Sequence, residues 1–269
     1  MSHQADSLKS IFYALAANFA IAVAKLVAAA ITNSGSMLAE GIHSLADCGN
    51  QCLLLLGIKK AKRPPDENHP LGYGKTIYFW SFIVAIMLFS MGGMFSVYEG
   101  MHKIHSTEPL QSPLIAIGVL AFAIVAEGLS MAGCVREVNK VRNGRSFLQW
   151  FRETRQSELL VIFGEDLAAL FGLVFALFAV GLTMLTGNPV FDALGSIIIG
   201  VLLLLVAFMV GVEVKALIIG QGVEPHEKVR MLEFLNSREE VEQILNLLTM
   251  QLGDDVMVAI KAKMQPQPS

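Results

Sequence analysis

Six apolar blocks, each close to the ~20 residues that a helix needs to cross the hydrocarbon core of a bilayer, leave this chain few ways to fold. They cover about 11–31, 37–58, 77–98, 113–134, 158–182 and 190–212. TNSGS at 32–36 and TGNP at 186–189 are tight polar turns between neighbouring blocks, and Pro189 suits the first turn of a new helix. A closed β-barrel has no need of such long unbroken runs, so helices are expected. Only 16% of the 269 residues are charged and 54% are hydrophobic, whereas a soluble domain keeps about a quarter of its residues charged. The fold class expected is therefore an all-α membrane protein with six transmembrane helices over residues 1–220.

Charge then sets a direction. The link after the second block holds Lys59, Lys60, Lys62, Arg63 and Lys75, and the link after the fourth holds Arg136, Lys140, Arg142, Arg145, Arg152 and Arg155. The opposite side has Lys103 in one link and no basic residue in the other two. Basic links face the cytoplasm, which puts both termini there and agrees with an even number of crossings. Topology and contact with anionic lipid account for these lysines and arginines. The net charge of -3 gives no support to a nucleic-acid partner. MSHQADSLKS lacks a cleavable signal pattern, so the first block reads as a retained span, and a bacterial inner membrane is the expected location. Cys48, Cys52 and Cys134 form no CxxC pair and no secreted disulfide framework.

After residue 220 the pattern changes. VEPHEKVRMLEFLNS places Val229, Leu232 and Leu235 at helical spacing behind Pro225. VEQILNLLTMQLG and VMVAIKAKM read as two strands joined at Gly253-Asp254-Asp255. One helix and two strands over 221–269 bury little core, so this α-β-β lobe is expected to lean on a partner or to be incomplete. SFLQWFRETRQ at 146–156 is amphipathic and suits the membrane interface.

Polar side chains at bilayer depth are costly and usually functional. The second block carries Glu40, His43, Asp47, Asn50 and Gln51, and His43 and Asp47, four apart, share one helical face. Imidazole with carboxylate suits Zn²⁺ and tolerates Fe²⁺, Co²⁺ or Mn²⁺. The bland alternative for His43 is a helix-helix hydrogen bond, which serves less well for a lone buried carboxylate such as Asp47. The fifth block offers Glu165 and Asp166. Neighbouring residues point about 100° apart, so the two are unequal candidates, with Asp166 placed ahead of Glu165. Lys25 reads as structural or as a charge that tunes the site, with Glu127 a possible ion-pair partner. Asp192 is expected to stabilise the N-terminus of its own helix. In ENHPLGYGK at 67–75, His69 could hold a metal with Asp66 or belong to a rigid elbow.

With GSMLAEGIHSLADCGNQ, DENHPLGYGK and FDALGSIIIG in this order, the chain resembles the cation diffusion facilitators, a family of zinc-type metal/proton antiporters, from about residue 10 to 263. The resemblance implies proton-coupled efflux of a divalent cation by alternating access, with Zn²⁺ first and Fe²⁺, Co²⁺, Mn²⁺ or Cd²⁺ as alternatives. It implies no enzyme activity and no organic cofactor. The metal site it implies joins His43 and Asp47 to Asp166. Ile162 stands where the fourth ligand would be, leaving Glu165 as the substitute, a pattern similar to a deviating zinc-transporter-like branch. A second metal site after span two would use Asp66 and His69, with Tyr73 in place of a further histidine. Zinc ligands of the cytoplasmic domain have no counterpart around Ile244–Thr249 or at Lys261. The family's ferredoxin-like cytoplasmic domain also implies a homodimer. A metal-regulated channel or a non-transporting scaffold is the rival reading; an intramembrane metalloenzyme lacks an HExxH motif.

Overall fold

The computed structural model describes residues 2–105 and 110–265, with side chains of the first helix described at Leu15 and from Asn18 onward. The apolar blocks form long helices: α1 (Ser2–Thr32), α2 (Gly35–Ala61), α5 (Pro113–Val141), α7 (Ser157–Thr186) and α8 (Val190–Ile219). The third block is one rod, Thr76–Lys103. Within it α3 (Thr76–Met87) passes through a π-helical stretch, Leu88–Met94, into α4 (Phe95–Lys103). The short α6 (Phe147–Glu153) precedes α7.

Four helices among the described residues are long and apolar enough to cross a membrane: Thr76–Lys103, Pro113–Val141, Ser157–Thr186 and Val190–Ile219. The first helix has a shorter apolar stretch, Asn18–Thr32. The second block differs from the expectation of six equal spans because Glu40, His43, Asp47, Asn50 and Gln51 lower its hydropathy. Its polarity faces inward: Glu40, His43 and Asn50 are fully buried.

α7 packs on α8 and α5, α2 on α1 and α3, and α4 on α8. The α4–α8 contact depends on close backbone approach, since a Cβ on Gly200 would lie 2.7 Å from the Val97 amide nitrogen. Such glycine contacts substitute for a hydrophobic driving force that lipid cannot supply. Two apolar cores fill the bundle. One, at the end bearing the basic links, includes Tyr78, Val138, Trp150, Leu160 and Val214; the other includes Met37, Leu120, Leu173, Ile199 and Leu203. Phe122, Phe171, Phe175, Phe178 and Phe208 are turned out of the bundle, as lipid contact requires. Phe163 is buried against Trp150.

The amphipathic 146–156 segment forms α6, started by Ser146, whose hydroxyl accepts the Gln149 amide at 3.2 Å. Trp150 and Phe151 are buried beneath it. The last segment is α9 (Pro225–Asn236) followed by β1 (Val241–Leu252) and β2 (Asp255–Met264), an antiparallel pair. The turn falls at Gly253, whose φ of 73° favours glycine. The lobe sits against the helices: the Gly253 amide donates to the Tyr78 hydroxyl at 2.9 Å, and Arg155 donates to the Gly222 carbonyl at 2.7 Å. Arg145 and Glu224 pair at 2.7 Å.

Candidate metal centre

The start of α2 is fixed before its polar face begins. Ser34 caps it, accepting the Met37 amide at 3.1 Å. The Asp192 carboxylate on α8 then accepts the Gly35 amide at 2.5 Å, the Ser34 hydroxyl at 2.7 Å and the Ser36 hydroxyl. Asp192 therefore serves the N-terminus of α2 across the bundle, a role beyond the expected one at its own helix end. An anion at a helix N-terminus meets unsatisfied amides and the positive end of the dipole.

Below that anchor, Glu40, His43, Ser44, Asp47, Asn50 and Gln51 follow one helical face. His43 Nδ1 lies 3.5 Å from Asp47 Oδ1, with the imidazole fully buried and the carboxylate 17% exposed. The imidazole faces the π-helical stretch, and a Cβ on Gly92 would lie 3.7 Å from Nδ1. π-turns often mark functional positions, and here a glycine in one leaves room beside the ring. That feature hides in the sequence within an ordinary apolar run.

Asn50 carries the polar face across to α7: its amide donates to Glu165 Oε1 at 2.5 Å. Glu165 is 5% exposed. Asp166 turns instead toward α5, where its Oδ2 accepts the Ser130 hydroxyl at 3.2 Å. Of the two carboxyl side chains, the packing thus brings Glu165, the second in the expected order, against α2 and sets Asp166, the first, against α5. Ile162 is partly exposed, away from the polar face. Asp47 lies in the field of Glu165, Glu127, Lys25 and Asp166.

The four expected ligands His43, Asp47, Glu165 and Asp166 are not drawn into a closed shell. Among the described residues no group of three or more His, Cys, Asp or Glu side chains is close enough to hold a metal ion. Asn50 occupies Glu165, and Ser130 occupies Asp166. The donor set nevertheless suits a divalent cation. Both His43 nitrogens, Asp47 Oδ1 and Asn50 Oδ1 are buried without a hydrogen-bond partner, an unusual condition for buried polar atoms. Imidazole with carboxylate is a zinc-type combination.

Lys25 is fully buried on α1, and its ammonium donates to Ser44 Oγ at 2.6 Å and to Glu40 Oε2 at 3.4 Å. Glu127 of α5 stands 3.9 Å away, so the pair suspected from sequence forms. The sequence reading missed Glu40 as the nearer carboxylate; its position fifteen residues further along the chain gave no sign of it.

At the elbow between α2 and α3, Asp66 Oδ1 accepts the His69 amide at 2.7 Å and Oδ2 accepts the Tyr73 hydroxyl at 2.6 Å. The Tyr73 hydroxyl, followed by the His69 amide, holds the Asp66 carboxyl below its usual range. His69 Nδ1 is 3.3 Å from Asp66 Oδ1. Tyr73 fills the place a further histidine would need, and the cluster is exposed, so it closes the loop by itself. Lys261 pairs opposite Asn246 in the sheet, and Ile244–Thr249 are part of β1. Cys48, Cys52 and Cys134 are free thiols.

A family model for the cation efflux transmembrane domain matches residues 11–219. The proton-coupled zinc antiporter SLC30A9, mitochondrial, of Xenopus laevis is 39% identical over 232 residues, which is 85% of this chain and 41% of that protein. Its human counterpart is 38% identical with the same coverage. Metal tolerance protein C4 of Arabidopsis thaliana is 28% identical over 249 residues, 92% of this chain and 54% of its own length. The chain therefore spans about half or less of the length of these three relatives.

Proposed function

The chain belongs to the cation efflux family, integral membrane transporters rather than enzymes, and on that premise we propose that it exports a divalent transition-metal cation, Zn²⁺ first, in exchange for protons. Six crossings over residues 1–220 and a cytoplasmic lobe over 221–269 complete the reading, with both termini on the cytoplasmic side of a bacterial inner membrane. A homodimer follows from the same family expectation.

The observation that carries it is the polar seam between α2 and α7. Buried, unpartnered donors at His43, Asp47 and Asn50 lead to Glu165 in a region where polarity is costly. His43, Asp47 and Glu165 are the first ligands of the passing ion, with Asp166 beside them. Transfer begins with the ion taken from the cytoplasmic side, while Asn50 yields Glu165 to it. Rocking of the helices opens the seam to the far side. Protons arriving there compete with the metal for the same lone pairs and release it. The names of the relatives, a proton-coupled zinc antiporter and a metal tolerance protein, support that substrate and coupling.

The test is flux in sealed proteoliposomes, with Zn²⁺, Fe²⁺, Co²⁺, Mn²⁺ and Cd²⁺ supplied with and without a pH gradient. The expected result is Zn²⁺ movement accelerated by an opposing proton gradient. Wild-type protein that moves no divalent cation under either condition leaves the channel or scaffold reading in its place.

A further inference from the structure

From Glu40 to Gln51 the polar face of α2 runs for about 16 Å at 1.5 Å per residue, roughly half the hydrocarbon thickness. His43 and Asp47 occupy only its middle. Ser44 lies between them along the helix and Glu40 about one turn nearer the Gly35 end, and the transport reading leaves both unused. Both meet the same positive group. Lys25 Nζ is 2.6 Å from Ser44 Oγ, 3.4 Å from Glu40 Oε2 and 3.9 Å from Glu127 Oε1.

Three oxygens from two other helices thus surround one cation brought by α1. An ordinary buried ion pair satisfies both partners, but Glu40 keeps Oε1 without a partner although the residue is fully buried. That oxygen faces Gly172 on α7, where a Cβ would run into it. The glycine leaves the carboxyl group room in its present rotamer, and Glu40 retains a free lone pair at the meeting of four helices.

We propose that Glu40, Glu127 and Ser44 form a second cation position beside the His43–Asp47 pair, and that the Lys25 ammonium is its built-in occupant. The proposal rests on the transport reading for its purpose, since this position adjoins the pair that would hold the passing ion. The ammonium keeps these carboxylates compensated and closes the position to a second ion. Because every donor here is oxygen, with no imidazole or thiolate, the vacated position suits a hard divalent cation such as Mn²⁺ better than Zn²⁺.

The experiment uses the purified full chain in detergent, loaded with Zn²⁺ and then Mn²⁺, desalted, and read by elemental analysis and by the electron paramagnetic resonance of protein-bound Mn²⁺. Wild-type protein should retain Zn²⁺ and little Mn²⁺. Lys25→Met should gain one Mn²⁺ per chain, and Lys25→Met/Glu40→Gln should lose it again. Lys25→Gln, which keeps a hydrogen bond to Ser44, is the second variant and should also gain Mn²⁺. No added Mn²⁺ in a monodisperse single variant would overturn the proposal. Absent Zn²⁺ binding in the wild type with Mn²⁺ gained on losing Lys25 would sink the transport reading while the second position stands.

Discussion

The Asn50 amide donates to Glu165 Oε1 at 2.5 Å, and through this one bond the polar face of α2 reaches α7. A carboxyl group buried this deep needs a hydrogen-bond partner. Asn50 supplies one that a metal ion can displace, because an amide hydrogen bond is far weaker than coordination by a divalent cation.

The two adjacent carboxylates of α7 should therefore differ. Glu165→Gln keeps the shape and the Asn50 contact but removes the ionisable group a metal ion would bind, and should slow Zn²⁺ flux by at least about tenfold, or ~1.4 kcal/mol in the barrier. Asp166→Asn, facing Ser130, should lose less. Side-by-side initial rates in proteoliposomes decide it; an inactive Asp166 variant beside an active Glu165 variant would reverse the assignment.

Lys25 and Glu40 are both fully buried, so removing either alone breaks a buried ion pair. Lys25→Met or Glu40→Gln should each destabilise the protein by about 3–5 kcal/mol. The double variant should recover most of that loss. Thermal unfolding of the three variants completes a double-mutant cycle, and additive losses would contradict the pairing.

Asp192 collects amides and hydroxyls from the first turn of α2. Asp192→Ala leaves these donors buried and unpaired, at a cost of about 1.5–3 kcal/mol by the scale of charged hydrogen bonds. A lowered unfolding temperature together with faster amide exchange at Gly35 and Ser36 is the expected signature. Exchange unchanged at those amides would show that α2 is held elsewhere.

The loop cluster predicts a pH response outside the membrane. The Tyr73 hydroxyl and then the His69 amide lower the Asp66 carboxyl. A lowered acid contributes stability that is complete above its ordinary value of about 3.9 and is lost as pH falls through the depressed one. The elbow should thus be unaffected between neutrality and mild acid and loosen only under stronger acid. Tyr73→Phe should raise the Asp66 midpoint toward the ordinary value. Carboxyl chemical shifts of Asp66 in the two proteins, followed through acid titration, make the comparison.

How much of this was legible beforehand depended on distance along the chain. The long apolar runs marked the helices, and Gly253-Asp254 marked the turn between β1 and β2, because both signals are local. His43 and Asp47 stood out as i, i+4 neighbours of the wrong polarity for lipid. The contacts of Asn50 with Glu165 and of Asp192 with α2 join residues more than a hundred positions apart, and no periodicity encodes them. The expected order, Asp166 ahead of Glu165, carries no information on which of them faces α2, because the rotation of α7 about its axis is set by packing against distant segments. The π-helical stretch was hidden for another reason: Gly92-Gly93 in an apolar run also serves ordinary helix packing.

The most direct test of the central claim is Zn²⁺ flux through Asp47→Asn, a change of one charge with almost no change of shape, in proteoliposomes bearing a pH gradient. Loss of proton-driven Zn²⁺ movement in a protein that still folds and inserts is the predicted result. Movement at the wild-type rate would contradict the account, because the ion would then be crossing without the face of α2 assigned to carry it.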